Sequence, residues 1–98
     1  MIKIKSLSRV VGVFNMGLIE CDLDQSAERL VILDRLTMYV FTNQLIDERL
    51  IIKKLVPLGY VNNNNLMVGI LDDNGEYNAA FIDGVKAQLV DANIIDVN

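Results

Sequence analysis

The first 21 residues carry the apolar and polar pattern of short β-strands. Residues 2–5 (IKIK) alternate apolar and basic positions, as a strand does when one of its faces is buried. Residues 9–14 (RVVGVF) are rich in β-branched and aromatic side chains, and residues 18–21 continue in the same way. Between them, residues 15–17 (NMG) favour a tight turn, because Asn and Gly tolerate positive φ. The sequence therefore predicts two or three short strands in this region.

The next segment has the spacing of a long helix that is apolar on two sides. Asp22 and Asp24 are candidate N-caps, and no helix-breaking residue occurs between Asp24 and Phe41. On a helical wheel two opposite faces are apolar: one carries Ala27, Leu30, Val31, Met38 and Phe41, and the other carries Ile32, Leu33, Leu36, Tyr39 and Val40. A helix of this kind is normally buried on both faces. We therefore predict a helix over Asp24–Phe41 with one face on the domain's own sheet and the other on a partner.

A second helix is predicted over Leu45–Val56. Pro57 and Gly59 would end it, because proline and glycine disfavour continuation of a helix. Its periodicity is poor, however, and a strand over Leu50–Val56 is the alternative interpretation. Residues 62–65, four consecutive asparagines, predict a surface loop.

The last third of the chain predicts a strand, a helix and a strand. Residues 66–71 (LMVGIL) form a continuous apolar run of the length of a central strand. Residues 73–76 (DNGE) have the form of a capping box. An amphipathic stripe with helical spacing follows, and Asn93 is a candidate C-cap; the stripe comprises Tyr77, Phe81, Val85, Leu89 and Ala92. In the competing interpretation, Asn74-Gly75 is a hairpin turn.

Together with residues 94–97 as a final strand, these elements predict a single α+β domain over residues 1–98. Its expected order is short amino-terminal strands or a hairpin, a helical pair, and a carboxy-terminal βαβ unit with a right-handed crossover.

Composition adds a surplus of apolar residues to this picture. The 98 residues are 52% hydrophobic, with a mean hydropathy of +0.33 and a formal net charge of −4. A domain of this size buries only about two-thirds of its unfolded surface, so we expect part of the surplus to lie at a contact with another protein. The long predicted helix is the expected location, and its candidate interface residues are Arg29, Leu30, Asp34, Met38, Tyr39 and Phe41.

Two of these candidates, Arg29 and Asp34, are charged residues within otherwise apolar stripes. Each either marks the solvent-facing edge of its stripe or pairs across an interface and fixes its register.

The residue types needed for common active sites are scarce. The chain has no histidine and one cysteine, Cys21, so zinc clusters and Ser-His-Asp or Cys-His pairs are excluded. Residues 72–76 resemble part of a calcium loop, but Ile70 and Phe81 occupy its two anchoring positions. No glycine-rich phosphate loop occurs. We therefore expect no catalytic residue, no metal and no cofactor.

These observations predict a non-catalytic protein-binding module that self-associates, most simply as a dimer. Small acidic proteins of this kind are often accessory or inhibitory proteins of viruses and mobile elements that act on a larger assembly. One alternative is a small-molecule-binding or catalytic domain with its ligand between helix and sheet. Another is a nucleic-acid-associated regulator, although the scattered basic residues argue against nucleic-acid binding.

The predicted compartment is the cytoplasm. A lone cysteine cannot form an internal disulfide, which fits a reducing environment. The sequence has no run of about 20 uninterrupted apolar residues, the length that spans a membrane.

Overall fold

The computed structural model describes residues 14–23, 27–46, 51–73 and 79–95. Within these ranges the chain forms seven strands and one short 3₁₀ turn. The strands are β1 (Asn15–Asp22), β2 (Arg29–Asp34), β3 (Val40–Leu45), β4 (Ile51–Val56), β5 (Leu66–Leu71), β6 (Ala80–Val85) and β7 (Gln88–Asp91), and the 3₁₀ turn (Leu58–Val61) joins β4 to β5.

The strands form two antiparallel sheets. The first has the order β4-β1-β7, and the second has the order β3-β2-β5-β6. Only the β2–β3 and β5–β6 connections join neighbours within one sheet, and the other connections pass from one sheet to the other. The buried core lies between the sheets and consists of Ile19, Cys21, Leu30, Ile32, Ile52, Val56, Leu66 and Ala87. This is a sandwich arrangement, in which the inner faces of two sheets supply one core.

The α+β prediction is therefore wrong, and so is its long helix over Asp24–Phe41. The described part of that segment is a hairpin of β2 and β3. β2 pairs with β3 on one side and with β5 on the other, so it is a central strand. Leu30 and Ile32 are buried towards the other sheet, and Val31 is buried on the opposite face. A strand buried on both faces is apolar on both, and the helical wheel displayed this pattern as two apolar stripes.

The predicted helix over Leu45–Val56 is also wrong. Its carboxy-terminal half is β4, close to the alternative strand over Leu50–Val56, and residues 47–50 lie outside the described residues. β4 pairs along β1 from Asp22 to Gly17. The isoleucines that disturbed the helical periodicity, Ile51 and Ile52, point to opposite faces of the strand.

The carboxy-terminal βαβ unit is wrong as well. Its first strand is confirmed as β5, and residues 62–65 are confirmed as a loop. The predicted helix is replaced by β6 and β7, and β6 pairs antiparallel with β5. A spacing of four residues fits the two-residue period of a strand as well as a helical turn, which explains the misleading stripe. Residues 74–78 lie outside the described residues. They include the Asn74-Gly75 turn and all of the predicted capping box except Asp73.

At the amino terminus, the predicted turn over residues 15–17 is wrong, because these residues belong to β1. The strand predicted over residues 18–21 is confirmed as part of β1. The strand predicted over residues 2–5 lies outside the described residues, as does most of residues 9–14. For the predicted strand over residues 94–97, the described part is turn and irregular chain.

Candidate functional site

The β2–β3 turn is organised by the carboxylate of Asp34, the last residue of β2. Oδ1 of Asp34 accepts hydrogen bonds from the backbone N–H groups of Leu36 (2.8 Å) and Thr37 (3.3 Å). Oδ2 accepts a 2.5 Å hydrogen bond from the hydroxyl of Tyr60, in the 3₁₀ turn. The backbone of Asp34 also donates to the carbonyl oxygen of Tyr39 (2.8 Å) and accepts from the N–H of Met38 (2.7 Å). Five hydrogen bonds thus meet at one residue and fix the turn.

These contacts shift the ionisation of both side chains. The hydrogen bond from Tyr60, and then that from the Leu36 backbone, lower the pKa of Asp34 below its usual value. The same bond to Asp34, together with burial, raises the pKa of Tyr60. The favoured state is therefore a carboxylate that accepts from a neutral phenol.

The fixed turn displays large apolar side chains to solvent. Leu36 is 68% exposed, and Met38 and Tyr39 are each 63% exposed. Met38 has φ of 62°, in the left-handed region that a side chain like methionine rarely adopts. We call these three residues the hairpin tip. An unusual backbone conformation held by five hydrogen bonds, with apolar side chains turned outward, is typical of a binding site.

An aromatic chain connects the hairpin tip to the body of the protein. The ring of Tyr39 packs edge-to-face on Phe41 at a centroid distance of 4.9 Å. Phe41 in turn packs on Tyr60 at 5.2 Å in the same geometry. Tyr60 also accepts a backbone hydrogen bond from Ala87, in the connection between β6 and β7 (3.0 Å). The tip is therefore linked through Phe41 and Tyr60 to the connection that joins the two sheets.

β3 continues from the hairpin tip as an edge strand. Its sequence, VFTNQL, contains no charged residue, proline or glycine. The other described edge strands each carry a charge: β4 has Lys53 and Lys54, β6 has Asp83 and β7 has Asp91. Natural edge strands usually carry such charges or bulges, which prevent another chain from pairing with them. A bulge occurs at the start of β3, and Thr42–Leu45 then pairs regularly with β2.

The predicted interface residues lie in three places. Asp34, Met38, Tyr39 and Phe41 come together at the β2–β3 hairpin. Leu30 is fully buried in the core, at 0% exposure, and offers no contact surface.

Arg29 lies on the outer face of β2 and makes contacts within its own chain. Its guanidinium binds Asp73 through two hydrogen bonds of 3.1 and 3.0 Å, and it donates to Oδ1 of Asn43 (2.8 Å). Asp73 raises the pKa of Arg29, so the guanidinium stays charged.

Four residues of this site were missed: Leu36, Val40, Leu45 and Tyr60. Tyr60 lies 26 residues from Asp34, and no sequence pattern links the two. The absence of charge over residues 40–45 was visible in the sequence, but it has this meaning only for an edge strand.

A second feature is an apolar groove between the two sheets. Its volume is about 300 Å³, at the lower end of the range for ligand pockets. Residues 19–22 of β1 and Leu23, which follows the strand, form one wall. β5 and β6 form the other wall with Val68, Gly69, Ile70, Ala80, Phe81, Ile82 and Val85.

Cys21 lines this groove but is not an activated nucleophile. Burial, and then the nearby carboxylate of Glu20, raise the pKa of its thiol, so the reactive thiolate is disfavoured. Among the described residues, no three His, Cys, Asp or Glu side chains are grouped so that they could hold a metal ion. In the same part of the chain, no helix has the length and apolar character needed to cross a bilayer.

Comparisons with known proteins find no match, whether to a family model, to a curated protein or to a solved structure.

Proposed function

We propose that this protein is a non-catalytic binding module that self-associates by antiparallel pairing of β3 with β3 of a second copy. The observation that carries the proposal is the uncharged β3 edge beside an exposed apolar turn. Pairing would satisfy the open backbone groups of both edges and extend the four-stranded sheet into one of eight strands.

The absence of charge on β3 favours an identical partner. In a two-fold dimer each residue of the strand faces a residue of the same strand in the second copy. A charged residue on β3 would face its own copy or a close neighbour and would repel it. β3 has no such residue, although the chain as a whole carries a net charge of −4. Two β3 edges can therefore lie side by side without repulsion.

The hairpin tip supports the same contact. Met38 and Tyr39 immediately precede β3, so they lie beside any strand that is added at this edge. Their exposed surfaces would contribute apolar area, and aromatic residues and methionine are enriched at protein interfaces. Because the Asp34 hydrogen bonds already fix the turn, little conformational entropy would be lost when the dimer forms.

The cytoplasm is the compartment that we propose for this module. Cys21 is the only cysteine and is buried, which suits a reducing environment.

A charge-exchange experiment tests the pairing. Asn43 and Leu45 lie on the outer face of β3 and are exposed. We expect the wild-type protein to sediment as a dimer at tens of micromolar. The double variant Asn43→Lys/Leu45→Lys and the double variant Asn43→Glu/Leu45→Glu should each be monomeric, because like charges would face each other across the pair. An equimolar mixture of the two variants should restore the dimer.

One control variant is Asn43→Ala, which removes the acceptor of the Arg29 hydrogen bond without adding a charge. A second is Ile94→Lys, which adds one positive charge at an exposed apolar residue outside β3. Both should remain dimeric. Urea unfolding of every variant confirms that the monomer is folded. A strictly monomeric wild type, or double-lysine and double-glutamate variants that both stay dimeric, would contradict the proposal.

A further inference from the structure

The second half of β1 has an open edge beside the apolar groove. β4 pairs with β1 from Gly17 to Asp22, but β7 pairs only with Asn15 to Leu18 on the other side. β7 begins at Gln88, which faces Leu18, and the preceding chain leaves this sheet for β6. Among the described strands, none pairs with Ile19–Asp22 on that side. In the described part of the chain, the position that β7 would occupy if it were longer is therefore vacant.

The groove lies at this vacant position. Every residue from Ile19 to Leu23 lines it, including residues whose side chains alternate between the two faces of the sheet. The backbone edge of β1 therefore borders the groove along its length. On the opposite wall, Ile82 lies on the inward face of β6. It is nevertheless 68% exposed, because no described strand of the first sheet covers it.

We propose that this groove binds an extended segment of another protein, which adds to the first sheet as a strand next to Ile19–Asp22. Strand addition to an open edge uses main-chain hydrogen bonds for affinity and side-chain pockets for selectivity. The inward-facing residues of the bound segment would enter the groove and contact Val68, Ile70 and Ile82. These contacts require apolar residues at every second position.

The outward-facing positions of the bound segment would be basic. Glu20 and Asp22 lie on the outer face of β1, and residues directly opposite on neighbouring antiparallel strands share a face. A strand next to β1 would therefore place its outward side chains beside two carboxylates. Lysine or arginine there would face these carboxylates across the strand pair, as Lys53 faces Glu20 in register on the β4 side.

No described strand of this chain alternates apolar and basic residues, so the described part of a second copy does not fit the groove. β4 has its two lysines adjacent, and the other six strands contain no lysine. We commit to a segment of a different protein, with alternating apolar and basic residues, as the occupant; residues 2–5 of this chain have the same alternation and are tested below as a competitor.

A seven-residue peptide of alternating Val and Lys is the probe. We expect it to bind the full chain and to slow the amide hydrogen exchange of those residues within Ile19–Asp22 whose N–H groups point away from β4, because these groups become hydrogen-bonded. The corresponding peptide of Val and Glu should bind at least about tenfold more weakly, the ratio set by about 1.4 kcal/mol. The variant Asp22→Lys should reduce or reverse this preference, and Ile82→Lys should weaken binding of the Val-Lys peptide.

The variant Asn43→Lys/Leu45→Lys serves as the control. It changes β3 and leaves the groove intact, so peptide binding should persist even where self-association is lost. The failure of one proposal is thus distinguishable from the failure of the other. Because Ile82 and Asp22 are both exposed, their variants should fold, and urea unfolding checks this.

Three results would overturn the inference. In the first, dodecanoate binds the groove and the Val-Lys peptide does not, which would identify a small apolar ligand site. In the second, the peptide binds without protecting the β1 amides. In the third, the variant Lys3→Glu/Lys5→Glu gains at least about tenfold in peptide affinity. That gain would show that residues 2–5 of this chain, which have the same alternation, compete for the site.

Discussion

Asp34 joins the ends of the β2–β3 turn through both its backbone and its side chain, and it ties the turn to Tyr60. The direction of its pKa shift determines how this residue contributes to stability. Because the folded state lowers the pKa of Asp34, the ionised carboxylate stabilises the fold above the pKa of the unfolded chain, about 3.9. That contribution is lost as the pH falls through the lower folded-state value.

The variant Asp34→Asn tests this pH dependence. Asparagine keeps an acceptor for the backbone N–H groups but carries no charge. We expect the wild type to be more stable than the variant at neutral pH, and the difference to shrink below about pH 4. Urea midpoints between pH 2.5 and 7 measure it. A difference that stays constant over this range would show that the charge of Asp34 does not stabilise the turn.

The contribution of Tyr60 to the stability of the fold has the opposite pH dependence and changes at high pH. Its raised pKa means that the neutral phenol stabilises the fold below about pH 10. This contribution is lost as the pH rises through the folded-state pKa. The turn should therefore be most stable between the two titrations.

Gly17 is a second residue whose identity is dictated by its neighbours. A Cβ atom at this position would lie 2.7 Å from Cβ of Ala87 and 2.9 Å from Cγ2 of Val56, both buried. We expect Gly17→Ala to destabilise the protein by about 1–3 kcal/mol, the usual cost of overpacking a core. Gly59→Ala is the matched control, because no atom lies within 4 Å of its Cβ position. Chemical denaturation measures both, and equal stabilities would contradict the packing described for Gly17.

At the scale of the elements, the β2–β3 turn carries backbone strain at Met38. Glycine adopts positive φ without the clash of a Cβ atom. We therefore expect Met38→Gly to be about 1 kcal/mol more stable than Met38→Ala, since both lose the methionine side chain and only alanine keeps the strain. Thermal or urea unfolding compares the two variants. If Met38→Ala were as stable as Met38→Gly, residue 38 would not be strained by a left-handed conformation.

The elements also show which parts of this fold the sequence could predict. β5 was predicted with its bounds because a continuous apolar run is typical of a central strand. β2 has the same property, but the sequence analysis merged it with the start of β3 into one helix. Residues 35–39 between the two strands contain neither proline nor glycine that would mark a turn. The turn there depends on the Asp34 side chain and on the strained Met38, and neither leaves a pattern in the sequence. One long helix was inferred where the chain turns back on itself.

That the six candidate residues form an interface stays a prediction. Four of the six proposed interface residues lie together at the hairpin, although for a different reason than the helical wheel suggested. Met38 and Tyr39 were assigned to opposite sides of a helix, whereas they are neighbours at one turn. The β1 edge could not be predicted, because it depends on where β7 begins, 66 residues further along the chain than Asp22.

At the scale of the whole molecule, the two proposed contacts lie towards opposite sides of the four-stranded sheet: the first is the β3 edge, and the second is the groove between β1 and the β5–β6 half of that sheet. β3 is one edge of that sheet and β6, which borders the groove, is the other. A dimer formed through β3 would therefore carry two grooves that face away from each other. A partner with two alternating segments would gain affinity from binding both, provided that its linker spans the distance between the grooves.

The position of β1 in the middle of its sheet has a consequence for synthesis on the ribosome. β1 is the first described strand to be made, yet its partners β4 and β7 follow much later, and the β7 pairing involves residues 88–91. Until then its apolar inner face has no completed sheet to join. Such long-range pairing slows folding, and the sheet around β1 can be completed only after residues 88–91 have left the ribosome.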